Sequence, residues 1–388
     1  MRILFVSAIP PADPSGGAER VVDRLATQLA DDHEVTVFSA ADTTTTERTP
    51  AGYEQVTIPT PNVYRPDRRD EHGLGTQWAW QGLELFSPTA QGRVEEALAG
   101  LGPFDVVNTH NYAGFTLPAL AGFADHGEAL VHTAHDYRLL SPWVRIWDGP
   151  FAVDAWPLAL YRRRTRSLLA PVDRFVVPSR FAGRLHERFA AFAGTPWTVI
   201  PNGVHVDRFT PQPAPEQPTF LLFGRLDEAK GIHAFLETVA DRNEGARFRV
   251  AGGGPDAEAI EALSREHPEV TYLGYLDRTE LEAEIAASTG VVVPSQWQEV
   301  FGLVAAEAMA AAVPPLYTPV GGLPEVAGSG LGIELPADLD RAAQRVLDLA
   351  REPHVLHRMR EGCRAYAEKA LTVERMARGY EELFRDAV

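Results

Sequence analysis

Short apolar runs alternate along the chain with longer segments whose apolar residues recur at helical spacing. The run at 2–7 predicts a buried strand, and the apolar spacing over 18–29 predicts a helix after a Pro- and Gly-rich loop. A second strand is predicted at 33–39. This order of strand, loop, helix and strand indicates the α/β class with doubly wound sheets.

The same alternation fills both halves of the chain, and a proline-rich segment separates them. Further strands are predicted at 105–110, 129–136 and 173–179, at 197–204, where the strand ends in a turn, and then at 219–224, 248–252, 270–276 and 290–293. Four prolines fall within 211–218, and this shift in composition predicts two Rossmann-like domains, 1–200 and 201–369. The strand at 173–179 is expected to be the last of the first sheet. The stretch 40–93 has no clear periodicity.

The composition is that of a globular protein with enough chain for two cores. Of 388 residues, 45% are hydrophobic and 23% are charged. The net charge of −17 argues against a general nucleic-acid binder, because a phosphate backbone would be repelled. Cys363 is the only cysteine, which excludes an internal disulfide or a zinc–thiolate cluster. No apolar stretch reaches about 18 residues and no signal peptide is evident, so a cytoplasmic location is expected.

The stretch 294–314 places two carboxylates beside a predicted helix start. The β-branched run at 290–293 predicts a buried strand, and the Ala-, Leu- and Met-rich segment at 303–312 predicts a helix. Glu299 then falls in the turn between them. Glu307 is expected about two turns into the helix, facing the same crevice at the strand end. The alternative for Glu307 is a solvated acid on the helix face.

This predicted helix start suits a phosphate group. The amides of Phe301, Gly302 and Leu303 are expected among those without an intrahelical partner, at the positive end of the helix dipole. A carboxylate accepts hydrogen bonds from vicinal hydroxyls, so acids flanking a phosphate site indicate a ligand with hydroxyl-rich groups around a phosphate. A sugar nucleotide has that form.

The segment from Glu299 to Glu307, E-x-F-G-L-x-x-x-E, resembles the E-x7-E motif of retaining GT-B glycosyltransferases, in particular glycosyltransferase family 4. The resemblance covers nearly the whole chain. It implies two domains facing a cleft, with 1–200 on the acceptor side, 201–369 binding the nucleotide sugar, and a terminal helix at 370–388 packing back on the first domain. It also implies that Glu299 contacts hydroxyls of the donor sugar and Glu307 those of the ribose.

Two cations lie in the loop after the predicted strand at 219–224. Arg225 offers a bidentate fork and Lys230 a point charge, so both can reach a diphosphate, although a solvated side chain is the alternative for each. The segment from Gly224 to Lys230 is similar to the G-R-L-x-x-x-K-G motif of GT-B transferases, which implies diphosphate binding. The family also implies that Leu276 contacts the nucleobase through main-chain groups, which leaves the base open.

Paired glycines, Gly16 and Gly17, precede the first predicted helix. Such a pair serves either a simple turn or the close approach of a diphosphate to the backbone. The family resemblance favours the second use, because GT-B enzymes of this type carry a Gly-Gly loop that faces the donor.

Polar side chains follow two predicted strands of the first half. His110 ends one of them and is the candidate functional histidine, with an ordinary hydrogen-bonded side chain as the alternative. In the resembling family a histidine at this point contacts the donor sugar and supports the transition state. His135 and Asp136 end the next strand, and Trp143 lies in an aromatic-rich loop beyond it. These three are acceptor-side candidates, with strand-end hydrogen bonding and core packing as the alternatives.

One basic cluster stands out in this acidic chain. Its members are Arg162, Arg163, Arg164 and Arg166. A solvated helix face is the usual reading of such a run, and contact with a phosphorylated acceptor or an anionic membrane surface is the other.

Taken with the resemblance, the motifs predict transfer of a hexose-type sugar from a nucleoside-diphosphate donor, such as a UDP- or GDP-sugar, to a hydroxyl of a glycan, lipid or natural product. Retention by front-face attack is implied by the family. No cofactor or metal is expected, since no Asp-x-Asp constellation lies beside the site. The alternatives are a sugar-nucleotide epimerase, a sugar phosphorylase and a non-catalytic nucleotide-sugar-binding protein. The sugar, base, acceptor and oligomeric state stay open.

Overall fold

The computed structural model describes residues 1–11, 16–142, 156–192, 194–242, 245–328 and 330–388. Packing divides the chain into two compact units, one of Met1–Gly203 with Val373–Val388 and one of Val204–Thr372. The predicted domain limits at 200/201 and 369/370 lie a few residues before these divisions.

The first unit is built on a sheet whose neighbouring strands run parallel, apart from one antiparallel edge pair. Its described strands are β1 (Arg2–Ser7), β2 (Glu34–Ala41), β3 (Thr45–Arg48), β4 (Glu54–Pro59), β5 (Phe104–Thr109), β6 (Gly127–Thr133), β7 (Arg174–Val177) and β8 (Trp197–Val199). They are ordered β3-β4-β2-β1-β5-β6-β7-β8, and only β3 and β4 pair antiparallel among the described strands. The chain therefore reverses its direction of winding between β1 and β5.

Helices cover this sheet. They are α1 (Gly17–Leu29), α2 (Leu74–Phe86), α3 (Ala90–Leu98), α4 (Leu120–Ala124), α5 (Trp156–Leu168) and α6 (Arg180–Arg188). The central strands β1 and β5 are buried on both faces, which explains why they appear in the sequence as continuous apolar runs. Aromatic rings fill the core beneath β2, where Phe38 and Phe115 stack with centroids 5.4 Å apart.

The second unit repeats the design with a smaller parallel sheet. Its described strands are β9 (Thr219–Arg225), β10 (Arg247–Gly253), β11 (Val270–Tyr272), β12 (Gly290–Val293), β13 (Pro315–Tyr317) and β14 (Ile333–Glu334). Its helices are α7 (Ile232–Ala240), α8 (Ala257–Glu266), α9 (Arg278–Ala286), α10 (Leu303–Ala310), α11 (Leu323–Ala327), α12 (Leu339–Arg351), α13 (His354–His357) and α14 (Arg360–Ala370). The strand order is β11-β10-β9-β12-β13-β14, so the winding reverses between β9 and β12.

The last helix, α15 (Val373–Ala387), belongs to the first unit. Its buried Tyr380 and Phe384 face the sheet, where the Phe384 ring lies 6.3 Å from that of Phe5. The side-chain hydroxyls of Thr133 and Tyr380 are 3.2 Å apart. The segment 373–388 thus completes the core of the first unit, although 169 residues of the other unit (204–372) precede it.

The expectation that the strand at 173–179 ends the first sheet is wrong. β8 pairs parallel with β7, with Phe175 opposite Trp197. The segment 197–204 was predicted as a strand ending in a turn, and the structure shows that its strand, β8 (Trp197–Val199), is part of the first sheet. The stretch 40–93, which has no clear period, holds the short strands β3 and β4 and the helices α2 and α3.

Candidate active site

The second unit brings two predicted loops together at the point where its winding reverses. The loop after β9 carries Arg225 and Lys230, and the loop after β12 carries Glu299. Because β9 and β12 are neighbours in the sheet, these loops leave its carboxyl edge side by side. Lys230 Nζ lies 2.6 Å from Glu299 Oε1. Ligands of doubly wound sheets bind at such a reversal.

Lys230 is positioned by its own short turn. The side chain of Asp227 accepts a hydrogen bond from the Lys230 amide at 3.2 Å and so caps the turn Glu228–Lys230. Gly231 follows in the left-handed region, at φ +65°, and a Cβ there would lie 2.3 Å from the carbonyl oxygen of Pro294. Only glycine therefore allows this loop to pass so close to the loop after β12.

Glu299 is buried and held from two directions. Its Oε1 also accepts a hydrogen bond from Ser295 Oγ at 2.7 Å. Its carbonyl oxygen accepts from the Gly322 amide at 2.6 Å. This close approach needs Gly321, at φ +61°, where a Cβ would lie 2.0 Å from the same carbonyl oxygen. The loop after β13 thereby fixes the backbone that carries the carboxylate.

Arg225 stands at the end of β9 with its side chain 55% exposed. Its Nε lies 3.2 Å from Asp227 Oδ2, on the same carboxylate that caps the lysine turn. Gly224 precedes it at φ +123°, a conformation that L side chains rarely adopt. Asp227 therefore contacts both cations of the loop through one carboxylate.

The helix α10 begins at the expected place, directly after Gly302. The N-cap residue Gly302 adopts φ +109° and, being a glycine, offers no capping side chain to the helix start. A Cβ on Gly302 would lie 2.4 Å from Leu323 Cδ2, so packing as well as backbone geometry requires glycine. The main chain of Phe301 and Leu303 flanks this position. The amides of an uncapped helix start are available to an anion.

Glu307 lies four residues after the helix start, so the expectation of two turns is wrong, and one turn separates it from Leu303. Its side chain is only 1% exposed, which rules out a solvated helix acid. Glu307 Oε1 accepts a hydrogen bond from Arg278 Nη1 at 2.8 Å. The buried carboxylate is thus balanced by a cation from α9.

Arg278 is a site residue that the sequence did not reveal. It contacts Glu282 as well as Glu307, and its guanidinium lies 5.6 Å from the ring centroid of Phe209. Burial lowers the pKa of Arg278, but the two carboxylates outweigh burial and raise the pKa overall. The i,i+4 pair with Glu282 can be seen in the sequence, whereas the pair with Glu307 depends on tertiary packing. Leu276, two residues earlier, packs against the same apolar core.

His110 lies at the corresponding reversal of the first unit. It directly follows β5, and its amide donates to the Val6 carbonyl of β1 at 2.9 Å. Its Nδ1 is 2.8 Å from Nε2 of His135, and the two rings stack with centroids 5.1 Å apart. The Nε2 of His110 is buried without a hydrogen-bond partner in the described part of the chain. His110 therefore has a hydrogen-bond partner at one ring nitrogen, Nδ1, and the described residues do not make it the fully hydrogen-bonded histidine of the alternative.

The histidines near this strand edge are kept neutral. Burial, followed by the neighbouring imidazoles of His135 and His132, holds the pKa of His110 well below its usual range. Burial also lowers the pKa of His135 to about 4 and that of His132 to about 3. A neutral His110 carries one proton, which either donates to His135 or is presented from Nε2.

The remaining acceptor-side predictions have mixed outcomes. Asp136 Oδ1 accepts from the amide of Arg138 at 2.8 Å, so this carboxylate shapes the chain after β6. Trp143 lies outside the described residues. A part for His135, Asp136 and Trp143 in acceptor binding stays a prediction.

Gly17 begins α1, and the N-cap residue Gly16, being a glycine, offers no capping side chain. Gly16 has an extended backbone, and a Cβ there would lie 2.5 Å from Glu19 Oε2. Burial raises the pKa of Glu19. The Glu19 carboxyl group thus lies beside the helix start, and a side chain at position 16 would have to displace it.

The basic cluster on α5 is largely engaged in packing. The Arg162 guanidinium lies 4.9 Å from the centroid of Phe189, and Arg164 lies 5.1 Å from that of Phe86. Arg166 donates to the carbonyl of Phe189 at 3.4 Å, while Arg163 is exposed. Within the described ranges, no helix combines the length and the apolar character needed to cross a bilayer.

Two doubly wound units and a site of this kind define the GT-B class of glycosyltransferases, and comparison with known proteins bears this out. Residues 15–208 match the family described as Glycosyltransferase Family 4, and residues 205–370 match Glycosyl transferases group 1. The chain belongs to glycosyltransferase family 4 and is a glycosyltransferase, which confirms the predicted fold class and enzyme class.

Individual relatives agree with this assignment. The chain is 29% identical over 388 residues to a glycogen synthase of Mycobacterium tuberculosis, covering 94% of this chain and 89% of the relative. The structure of sucrose-phosphate synthase from Thermosynechococcus elongatus matches with a TM-score of 0.80 and 20% identity, covering 100% of this chain and 98% of the other. The Anabaena protein Alr3699/HepE, in complex with UDP and glucose, matches with a TM-score of 0.71 and 18% identity over 99% of both chains. The structural likenesses show the fold.

Proposed function

We propose that the protein transfers a hexose-type sugar from a nucleoside-diphosphate donor to a hydroxyl acceptor, with retention of anomeric configuration and without a metal ion. The observation that carries the proposal is the contact between Lys230 and Glu299 beside the uncapped start of α10. One loop supplies cations for a diphosphate, and the next supplies a carboxylate for sugar hydroxyls. The UDP and glucose bound by the structural neighbour HepE support a donor of this class.

In this proposal the diphosphate is held by Arg225, Lys230 and the amides of Phe301 to Leu303. Charge-assisted hydrogen bonds contribute on the order of 1.5–3 kcal/mol each, and they accelerate the reaction if they strengthen as negative charge develops on the leaving group. Before the donor binds, Lys230 is paired with Glu299, so each charge holds the other in place. Donor binding gives Lys230 a phosphate partner and gives Glu299 the sugar hydroxyls.

The ribose is assigned to Glu307. Arg278 bonds one oxygen of this carboxylate and orients it within an apolar core. A carboxylate fixed in this way offers its remaining acceptor capacity to a pair of vicinal hydroxyls. The base is assigned to main-chain groups near Leu276, which leaves its identity open between UDP, GDP and related nucleotides.

The transfer step balances without a further reagent. The bond between the anomeric carbon and the diphosphate oxygen breaks, and the acceptor oxygen bonds to the same face of that carbon. The acceptor proton passes to the departing diphosphate oxygen. Neutral His110 is assigned to the sugar, because its Nε2 has no partner among the described residues and can present either a proton or a lone pair.

Anomer analysis tests this proposal. A thermal-shift screen of UDP-, GDP- and dTDP-sugars identifies the donor, because a ligand that binds only the native state raises the melting temperature. That donor, in its α form, is then incubated with simple alkyl glycosides, and the product is read by its anomeric coupling in proton NMR. We expect an α-linked product. A β-linked product would contradict retention, and conversion of the donor without any acceptor would point to an epimerase.

A further inference from the structure

The helix α2 of the first unit presents an apolar face to solvent. Leu74, Trp78 and Phe86 are between 62% and 75% exposed, and their spacing of four and eight positions places them on one side of the helix. Every exposed residue of α2 is apolar or a glycine, and Glu84, the only charged residue of this helix, is buried. A surface helix normally turns charged side chains outward, so the outer face of α2 is unusual.

The apolar surface continues into a groove between α2 and α5. The groove has a volume of about 340 Å³, with Leu74, Trp78 and Leu85 on one side and Tyr161 on the other. Next to Tyr161 on α5 is Leu160, which is also exposed. Of the seven large apolar side chains that are exposed in the described ranges, four therefore lie on these two helices. Single exposed apolar side chains are ordinary, whereas a contiguous group marks a surface that binds something.

Arginines of α5 border this apolar surface. The guanidinium carbon of Arg164 lies 5.1 Å from the ring centroid of Phe86, and its Nε donates to the Leu85 carbonyl at the end of α2 at 3.2 Å. Arg163 and Arg166 are exposed on the same helix. Arg163 is three positions after the exposed Leu160, so cationic and apolar side chains share the outer side of α5.

The cationic surface extends from α5 to α6. The guanidinium carbons of Arg162 on α5 and Arg188 on α6 lie 4.9 Å and 5.4 Å from the ring centroid of Phe189, so this ring links the two helices. The segment 156–192 contains eight arginines and only two acidic residues. Because the whole chain carries a net charge of −17, this region is opposite in sign to the protein as a whole.

An anionic membrane surface fits this combination better than another protein does. Trp, Phe and Leu beside arginines are the composition of helices that lie in the plane of the bilayer interface. A second copy of the chain would make a contact in which the same surface meets itself, so the arginines of the two copies would repel each other. A different protein would find few polar groups on α2 for the hydrogen bonds of an ordinary interface, since the exposed residues of this helix are apolar or glycine.

We propose that the surface formed by α2 and α5 docks the protein on an anionic membrane. Trp78 and Phe86 enter the headgroup region, and Arg163 and Arg166 contact the lipid phosphates. The negative charge of the rest of the chain is repelled by the same membrane, so the protein is held with this surface toward it. Docking requires neither donor nor acceptor, and it is therefore independent of the proposed sugar transfer.

Co-sedimentation of the full chain with lipid vesicles tests the docking. Vesicles of phosphatidylcholine alone are compared with vesicles of phosphatidylcholine and phosphatidylglycerol in equal parts. We expect the protein to bind the anionic vesicles at least about tenfold more tightly, and we expect this binding to weaken as salt is added, because salt screens the attraction between arginines and headgroups. Equal binding to both kinds of vesicle, or binding to neither, would overturn the proposal.

The apolar part of the surface is tested by Trp78→Gln with Phe86→Gln. Both side chains are exposed, and glutamine keeps the helix propensity of α2, so the fold should be retained. We expect this double variant to bind anionic vesicles at least about tenfold more weakly. Tyr275→Gln, which removes an exposed aromatic ring of the second unit, should bind them as the wild type does. Wild-type vesicle binding by the Trp78/Phe86 variant would contradict insertion of α2.

The cationic part is tested by Arg163→Gln with Arg166→Gln. Each arginine near an anionic surface contributes to binding, so the loss of two should weaken binding to the anionic vesicles at least about tenfold. Arg265→Gln with Lys369→Gln removes two exposed cations of the second unit and should leave vesicle binding unchanged. Equal losses in these two double variants would show a general effect of net charge and would overturn docking by this surface.

Light scattering distinguishes a second copy from a membrane. We expect the wild type and the Trp78/Phe86 variant to have the same mass in solution. A wild-type dimer that this variant dissociates would assign the surface to a contact between copies and would overturn membrane docking. The melting temperature of each variant should stay near that of the wild type, which shows that weaker vesicle binding does not come from unfolding.

Discussion

Lys230 and Glu299 are 69 positions apart in the sequence, yet Lys230 Nζ and Glu299 Oε1 are 2.6 Å apart in the structure. Their loops follow β9 and β12. These two strands are neighbours in the sheet, and the direction of winding reverses between them. The pair joins the predicted cation loop to the predicted acidic loop. A donor diphosphate and its sugar can therefore be held within one unit of the protein.

Replacing Glu307 should weaken donor binding. Glu307→Gln removes the charge that the ribose hydroxyls are expected to meet and leaves Arg278 with one carboxylate fewer. We expect the affinity for the donor nucleotide to fall by roughly one to two decades, as for loss of a charge-assisted hydrogen bond or two. Calorimetry measures the change, with the exposed Glu361→Gln on α14 as the control. Unchanged affinity would argue against ribose binding by Glu307.

Replacing Gly231 should lower both the stability of the protein and its affinity for the donor. Gly231→Ala adds a Cβ 2.3 Å from the Pro294 carbonyl at a position of positive φ, so the cation loop must move away from the loop after β12. We expect a lower melting temperature and at least a tenfold loss of donor affinity. Gly245→Ala is the matched control, because Gly245 has φ +94° but open space around its Cβ position. It carries the backbone strain without the collision, and it should leave donor affinity unchanged. If both variants lost donor affinity equally, the collision with the Pro294 carbonyl would not be the cause of the loss.

Glu84 should make stability depend on pH. Burial raises its pKa from 4.5 to about 7, so the native state binds the proton more tightly than the unfolded state does. Its contribution is fully present below about pH 4.5 and is lost as pH rises toward 7, by on the order of 3 kcal/mol. Glu84→Gln should remove this part of the decline.

Melting temperatures measured at pH 5 and pH 8 check this. The wild type should lose more stability between the two values than Glu84→Gln, while Glu96→Gln, at an exposed position of α3, should follow the wild type. If Glu84→Gln lost as much stability between pH 5 and pH 8 as the wild type, the pKa of Glu84 would not be raised in the native state.

Chelation tests the expectation that no metal takes part. With Arg225 and Lys230 assigned to the leaving diphosphate, EDTA should leave the transfer rate unchanged. The rate is measured by release of the nucleoside diphosphate before and after chelation. Strong inhibition that Mn²⁺ reverses would replace this part of the mechanism with a metal-assisted one.

The local elements of the site could be predicted because each is encoded within a short stretch. The run Gly290–Val293 is buried and β-branched, and Leu303–Ala310 is rich in helix formers, so the turn that carries Glu299 could be placed between them. The depth of Glu307 was overestimated, because the helix begins at Leu303 as predicted and the four positions between Leu303 and Glu307 span about one turn.

Contacts between distant segments could not be predicted from the sequence. Arg278 meets Glu307 across 29 positions, and nothing in either local pattern links them. The cation–π contact between Arg138 and Trp80, likewise, joins residues 58 positions apart and depends on the folded chain. Trp80 lies in the stretch 40–93, which has no clear periodicity, and its stacking on Tyr64 depends on how that stretch packs.

The most direct test of the donor site is the double substitution Arg225→Ala with Lys230→Ala, titrated calorimetrically with UDP and with GDP. The wild type should bind at least one of these nucleotides. The double variant should bind it at least about a hundredfold more weakly and should not transfer sugar, because two charge-assisted contacts to the diphosphate are gone. Its melting temperature should stay near that of the wild type. Arg265→Ala with Lys369→Ala, which removes two exposed cations of the same unit, should bind as the wild type does. Wild-type affinity or sustained transfer in the Arg225/Lys230 variant would contradict diphosphate binding at this loop.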